Sequence, residues 1–135
     1  GDTAGATPIL EEYCVRAQKA AAPGAAANPT LQASEQLLMQ LFGAAKQFDK
    51  IIAYYTAQFE HFRDTQGEAS EAAITAINNR AQYHFALGNY DASRRDHKEV
   101  VRLLIVLQGA NHPETIQSVE GFKQLYASKG QIYDE

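Results

Sequence analysis

The chain repeats itself with a period of 42 residues, and this period limits the fold more than any single motif does. Aromatic, apolar and glycine positions recur at this interval, as in Phe48/Tyr90/Ile132, Leu41/Tyr83/Leu125, Phe42/His84/Tyr126, Gly67/Gly109 and Gly88/Gly130. Such a period is typical of a repeat protein, in which each unit is one supersecondary structure that packs on its neighbours. The 135 residues are therefore expected to form one stack of units.

Each unit is predicted to consist of two helices. The first helix of the first unit carries apolar residues at Leu31, Leu38, Leu41, Phe42 and Ala45. The second helix has apolar residues at intervals of four and three, which place them on one face: Phe48, Ile52, Tyr55, Phe59 and Phe62. The two-residue alternation of a β-strand is rare in this chain. The predicted fold class is therefore all-α.

The segment LQGANHPET joins two predicted helices, although its His112 and Glu114 could pass for part of an active site. Gly109 is placed to end one helix in the left-handed conformation. Pro113 is placed to begin the next helix, where the missing N–H of a proline is not needed. Asn89 is predicted to be the N-cap of the helix before this joint. We therefore expect LQGANHPET to be structural rather than catalytic.

At these residues the chain resembles the tetratricopeptide repeat, in the 42-residue form found in kinesin light chains. The closest segments are INNRAQYHFALGNYDAS (Ile77–Ser93) and LQGANHPET (Leu107–Thr115), and weaker copies are LLMQLFGAAKQFDKI (Leu37–Ile51) and VEGFKQLYASKGQIYDE (Val119–Glu135). Lys46 replaces the turn glycine of the first copy. The resemblance implies an α-solenoid of antiparallel helix pairs, wound as a right-handed superhelix. It also implies a non-catalytic module that binds a peptide or a partner protein.

The same period predicts the organisation of the chain. Residues 27–68, 69–110 and 111–135 are expected to be repeats, the last one truncated. Residues 1–26 are expected to be an N-terminal helix and connector that pack as a half repeat, because Ile9, Leu10 and Tyr13 lie one period before Ile51, Ile52 and Tyr55. The prediction is about five full helices, followed by the start of another from Gln131 to Glu135.

The resemblance implies a partner-binding groove, lined by the outward residues of the first helix of each pair. These residues are Gln36, Gln40, Thr75, Asn78, Asn79, Gln82, Phe85, Gln117, Glu120 and Gln124. Most are amides, which offer both donors and acceptors to the backbone of an extended peptide, and Phe85 would be an apolar anchor. The alternative is that these are ordinary solvated polar positions. Only the middle unit carries an asparagine pair, Asn78 and Asn79.

A second hypothesis is a structural element whose open repeat ends stack on flanking repeats or on a second copy. In the last unit Val119, Phe122, Leu125 and Tyr126 form an apolar helical stripe. We predict that this stripe is a self-association face and that the chain can form a homo-oligomer through it, because it is too apolar to be left in water.

The middle unit places polar side chains, Arg80, His84 and His97, where its neighbours are apolar. Pairing of the helices should bring the two histidines toward each other. They could bind zinc or sense pH together with nearby carboxylates, Asp91, Asp96 or Glu60. A hydrogen-bonded polar patch is preferred, because the tight spacing of metal ligands is lacking.

Composition and motifs exclude several other functions. The net charge is −4 and no basic face is apparent, which argues against nucleic acid as a partner. No apolar run approaches the roughly 18 residues of a membrane-spanning helix, so a soluble chain is predicted, with the cytoplasm slightly favoured. The single Cys14 excludes an internal disulfide. Because no phosphate loop, nucleophile motif or metal-ligand motif is found, we expect no enzyme activity, no cofactor and no metal.

Overall fold

The structure is a computed structural model that describes residues 3–20 and 29–131. Within these ranges it contains six helices and no strand. The helices are α1 (Thr3–Ala20), α2 (Pro29–Ala44), α3 (Phe48–Gln66), α4 (Glu71–Ala86), α5 (Tyr90–Gln108) and α6 (Pro113–Ala127). The all-α prediction is confirmed, with six helices where about five full ones were expected. The connector after Ala20 and the end of the predicted last stub, residues 132–135, lie outside the described residues.

The chain divides into two compact units, residues 1–54 and residues 55–135. In the first unit α1 packs against α2. Cys14 from α1, together with Leu38 and Phe42 from α2, is almost completely buried there. Tyr54 belongs to the same unit and donates a hydrogen bond of 2.6 Å from its hydroxyl to the Glu35 carboxylate. The first unit thus has its own small core.

The second unit is built on the pairing of α4 with α5. Its core consists of Ile74 and Ile77 from α4 and of Val100, Leu103 and Leu104 from α5. The two helices run antiparallel, since contacts join Arg80 to Asp96 and Ala81 to Ser93. The next helix, α6, packs on the same α5 and contributes the half-buried Phe122 to this core. The helix pair predicted for the middle unit is therefore present.

The backbone repeats the 42-residue period at the turn between paired helices. Lys46, Gly88 and Gly130 all have positive φ, at 59°, 83° and 68°. The residue after each one donates a backbone hydrogen bond of 2.8 Å to a helix carbonyl: Gln47 to Phe42, Asn89 to His84 and Gln131 to Tyr126. Three copies of one turn, at one spacing, confirm that the sequence period is a structural repeat.

The joint LQGANHPET has the geometry that its sequence predicts. Gly109 ends α5 with φ 97°, and Pro113 is the first residue of α6. His112 is the N-cap of α6, and its Nδ1 accepts a hydrogen bond of 3.1 Å from the backbone N–H of Glu114. His112 therefore has a structural function, since it satisfies a free N–H at the start of a helix. Asn89 is the N-cap of α5, as predicted, although its side chain makes no capping hydrogen bond.

Candidate functional site

The predicted groove residues of the second unit form two exposed polar stripes. On α4, Thr75 and Gln82 are exposed, and Asn78 and Asn79 between them are half-buried. On α6, the exposed residues of the predicted groove are Gln117, Glu120 and Gln124. These positions follow helical spacing because the opposite faces of α4 and α6 carry the apolar and small residues that pack against α5. Gln36 and Gln40 on α2 are also exposed, but they belong to the first unit.

The amides of these two stripes are not used to hold the described part of the chain together. No side-chain hydrogen bond within residues 3–20 and 29–131 involves Asn79, Gln82 or Gln124. Asn78 differs, because its Oδ1 is shielded from water and still has no hydrogen-bond donor. A buried acceptor without a donor lowers the free energy of unfolding by about 1–3 kcal/mol. A donor from a bound molecule would remove that cost once the side chain turns toward it.

Phe85, the predicted apolar anchor, is half-buried within the second unit. Its ring meets the ring of Tyr90 edge-on at 5.1 Å, and that of Tyr126 edge-on at 5.3 Å. Arg94 lies over the other side of this cluster, with its guanidinium 5.9 Å from the centre of the Tyr126 ring. Such edge-to-face contacts stabilise aromatic clusters beyond the area they bury. Phe85 therefore packs against two aromatic rings of the second unit, and its role as an apolar anchor for a ligand stays a prediction.

The polar residues predicted in the middle unit form a network centred on a carboxylate. Both Oδ atoms of Asp96 accept hydrogen bonds from the Arg80 guanidinium, at 2.8 and 2.7 Å. Arg80 also donates to the hydroxyl of Thr56, at 3.0 Å. His84 lies one helical turn after Arg80, and its Nε2 is 4.0 Å from the same carboxylate, while its Nδ1 is buried without a partner. This is the hydrogen-bonded polar patch that the sequence favours.

His97 belongs to a second network, on the side of α5 that faces α6. The backbone oxygen of Ala81 accepts a hydrogen bond of 2.9 Å from Ser93 Oγ. The single hydroxyl proton of Ser93 is used in this bond. The Tyr126 hydroxyl must therefore donate to Ser93 Oγ, at 2.5 Å. The Tyr126 oxygen can then only accept from Nδ1–H of His97, at 2.8 Å. The ordered chain of donors fixes the tautomer of His97. The two histidines thus have different partners and do not form one site.

Burial controls the protonation of these groups. It lowers the pKa of His97 from 6.5 to about 4, although the nearby Asp96 acts in the opposite sense. The pKa of His84 is also lowered, chiefly by burial and further by Arg80 and Arg95, against the opposing effect of Asp96. Burial raises the pKa of the Tyr126 hydroxyl. At neutral pH both histidines are therefore neutral, and the donor order described above holds.

The stripe predicted to be a self-association face is only partly exposed. Tyr126 is fully buried against α5, and Phe122 stacks on the His97 ring with 4.0 Å between ring centres. Val119 and Leu125 are half-buried. Tyr126 is therefore not available to a second copy, because α5 already covers it.

Other candidate sites are accounted for by local contacts. Arg102 on α5 forms ion pairs with Glu99 and Glu68 at the surface of the second unit. Burial raises the pKa of the Cys14 thiol to about 11, so this cysteine is a packing residue rather than a reactive thiolate. In the described residues there is no group of three or more His, Cys, Asp or Glu side chains arranged to hold a metal ion. No helix among them is both long and apolar enough to cross a membrane.

The sequence alone did not identify Ser93 and Tyr126 as partners of His97. One signal was present: Ser93 and His97 stand one period after Ile51 and Tyr55, so two consecutive core positions of α5 are polar. Polar residues at two adjacent core positions each require a hydrogen-bond partner, and one group can serve both. That partner, the Tyr126 hydroxyl, lies 29 residues beyond His97 along the chain.

Part of the second unit matches a known protein family. Residues 74–114, which span most of α4, all of α5 and the joint to α6, match the family model described as "Tetratricopeptide repeat". A search of curated proteins found no match.

Proposed function

Because the chain is a tetratricopeptide repeat protein, we propose that it binds a partner protein through the exposed polar stripes of α4 and α6. An extended segment of the partner would lie along these stripes, with its backbone bonded to side-chain amides. The role is that of a non-catalytic interaction module. Repeats of this family generally mediate contacts between proteins, which supports a protein partner but leaves the binding surface to be tested.

The proposal rests on a row of side-chain amides that make no hydrogen bonds within the described residues. Asn79, Gln82, Gln117 and Gln124 make no side-chain hydrogen bonds within the described residues, and three of the four are exposed. An amide side chain presents an acceptor and two donors, which match the alternating N–H and C=O groups of an extended backbone. The unpartnered Oδ1 of Asn78 adds an acceptor for a ligand N–H. The stripes carry little charge, so backbone recognition rather than charge attraction would dominate.

Binding can be tested with a peptide display library screened against the 135-residue chain. The affinity of a selected peptide is then measured by calorimetry for wild type and for the variants Asn79→Ala and Gln82→Ala. We expect each substitution to weaken binding by about 1–2 kcal/mol, because one hydrogen bond to the ligand backbone is lost. The melting temperature should barely change for Gln82→Ala, since Gln82 is exposed and unbonded.

Lys98→Ala is the matched control, because Lys98 is exposed on α5, outside both stripes. This control should leave peptide affinity unchanged. The proposal is overturned if the selected peptide binds Asn79→Ala and Gln82→Ala as tightly as wild type, or if Lys98→Ala weakens binding as much as they do.

A further inference from the structure

The helix α5 carries a row of exposed basic side chains. Arg95, Lys98 and Arg102 follow one another at intervals of three and four residues, which places them on one side of the helix, and all three are exposed. The opposite side holds the buried residues that pack against the neighbouring helices, such as Val100 and Leu103. The row therefore lies on the part of α5 that neither α4 nor α6 covers.

The acidic residues of α5 do not neutralise the whole row. In the sequence Asp96 and Glu99 stand among the basic residues and hide the row from a linear reading. In the structure Asp96 is on the buried side of the helix, where it binds Arg80. Glu99 pairs with Arg102, which also pairs with Glu68. Arg102 is thus the member of the row whose charge is balanced within the chain.

Arg95 and Lys98 are not balanced in this way. In the described part of the chain neither side chain forms an ion pair or a hydrogen bond. Arg94 differs from its neighbour Arg95, because Asp91 and Gln131 both bind it. Two exposed cations one helical turn apart, without carboxylate partners, attract an anionic group.

Exposed apolar side chains continue the row toward the end of α5. Val106 lies four residues after Arg102 and is 65% exposed, and Ile105 beside it is 43% exposed. One period earlier, α3 has Asp64 and Arg63 at these positions. Both are exposed, although a further helix pair follows α3, so these positions stay open whatever follows α6. The repeat does not require apolar residues here, and a bound partner would bury them favourably.

We propose that this basic face of α5, formed by Arg95, Lys98, Arg102 and Val106, docks an acidic amphipathic helix of a partner protein. At a rise of about 1.5 Å per residue the face is about 16 Å long, or about three turns of a helix. A partner helix laid along it places carboxylates beside the two unpaired cations and a large apolar side chain on Val106. The charges steer the encounter, and the apolar contact slows dissociation.

The chemistry of the basic face favours an acidic protein segment over other anionic partners. Anionic membranes attract clusters of about 4–8 basic residues, and this face has three. A nucleic acid is a long polyanion, which the net charge of −4 repels, and its backbone offers little apolar surface to cover Val106. The basic face belongs to α5, so this proposal is independent of the amide stripes on α4 and α6.

The test begins with a display library of helical peptides, selected on the wild-type chain. A soluble competitor that carries both Arg95→Glu and Lys98→Glu removes the peptides that bind elsewhere, and circular dichroism checks that its helicity equals that of wild type. We expect the surviving peptides to carry carboxylates and a large apolar residue on one helical face. If no peptide survives the competition, or if the survivors are not enriched in acidic residues, the proposal is overturned.

The affinity of a surviving peptide is then measured by fluorescence anisotropy for single variants. Lys98→Glu should weaken binding at least about tenfold, because a repelling charge replaces an attracting one. Val106→Ala should weaken it about fivefold, because less apolar surface is buried. Added salt should weaken binding to wild type, since the charges of the face are exposed to solvent.

Lys129→Glu is the matched control, because Lys129 is exposed after the end of α6 and the change in net charge is the same. Its affinity should stay within about twofold of wild type, since screening limits the reach of a surface charge. Gln82→Ala should also leave this affinity unchanged, which separates the basic face from the amide stripes.

Two further outcomes would overturn the proposal. One is a peptide that binds Lys98→Glu as tightly as wild type, or that Lys129→Glu weakens equally. The other is binding of an RNA oligonucleotide or of phosphatidylserine vesicles that depends on Lys98 and is tighter than that of every selected peptide. The latter result would assign the basic face to phosphate groups instead of a protein segment.

Discussion

Tyr126 on α6 and His97 on α5 are joined by a buried hydrogen bond of 2.8 Å between the phenol oxygen and Nδ1 of the imidazole. Because Tyr126 also donates to Ser93, its single hydroxyl connects two polar groups in the interior of the second unit. The last described helix is thus attached to α5 through a specific polar contact as well as through apolar packing.

Tyr126→Phe tests the importance of that hydroxyl. The substitution keeps the ring but leaves the buried Nδ1–H of His97 without an acceptor, so the free energy of unfolding should fall by about 2–3 kcal/mol. Denaturant titration measures this change. Tyr90→Phe is the control, because its ring contacts Phe85 but no hydrogen bond of its hydroxyl is found within the described residues. Equal losses for both variants would contradict the assigned role of Tyr126.

The stability of the second unit should depend on pH through His97. Its pKa is lowered from 6.5 to about 4 in the folded chain, so between these values the unfolded chain binds a proton that the folded chain does not. Stability is therefore complete above about pH 6.5 and falls as the pH drops toward 4, by up to about 3 kcal/mol. The lowered pKa of His84 acts in the same direction.

Denaturant titrations at several pH values measure this dependence. His97→Gln should flatten the slope between pH 6.5 and 4, since glutamine can still donate to Tyr126 but does not titrate. An unchanged slope in His97→Gln would show that other groups cause the pH dependence.

The Arg80–Asp96 pair should contribute far more to the free energy of unfolding than a surface ion pair does. Asp96→Asn removes the charge that balances the partly buried guanidinium, whose side chain is 22% exposed, and we expect a loss of about 2–4 kcal/mol. Asp91→Asn is the matched control, because Asp91 pairs with Arg94 while 86% exposed at its side chain. Thermal melts of both variants make the comparison. A control loss above about 1 kcal/mol, or an Asp96→Asn loss below it, would contradict this ranking.

Lys46 occupies a turn position that its two copies fill with glycine. Its φ of 59° is unfavourable for a residue with a side chain, so Lys46→Gly should stabilise the chain by about 0.5–1 kcal/mol. The reverse change, Gly88→Ala, should destabilise it by about 1 kcal/mol. Beyond the adjacent residues no atom lies within 4 Å of the added methyl group, so this loss would be conformational. Chemical denaturation measures the change in the free energy of unfolding for both variants. A Gly88→Ala variant that is more stable than wild type would contradict this interpretation.

The period of 42 residues was sufficient to predict the helix pairs, the left-handed turn positions and the structural joint at Gly109 to Pro113. These features depend on local physics. A glycine tolerates positive φ and a proline begins a helix wherever they occur, and an apolar stripe with helical spacing must be buried. The helix end at Gly109 and the helix start at Pro113 were predicted correctly for this reason.

The roles of Phe85 and Tyr126 could not be obtained in this way. Both have half-apolar side chains at positions that the helical pattern allows to face either a partner or a neighbouring helix. The sequence predicted that Phe85 would anchor a ligand and that Tyr126 would be open to a second copy. In the structure the two rings contact each other, because α4 and α6 approach where they pack on α5.

The sequence by itself thus determined the elements, their order and the family of the repeat, since these follow from residue spacing and backbone preference. Only the tertiary structure decided which polar residues are partners. The sequence predicted that His84 and His97 lie toward each other, and the structure shows that Asp96 lies beside His84 while Tyr126 binds His97. The physical reason is that a hydrogen bond depends on distances of a few tenths of an ångström between residues far apart in the chain. The spacing of residues along one helix does not contain that information.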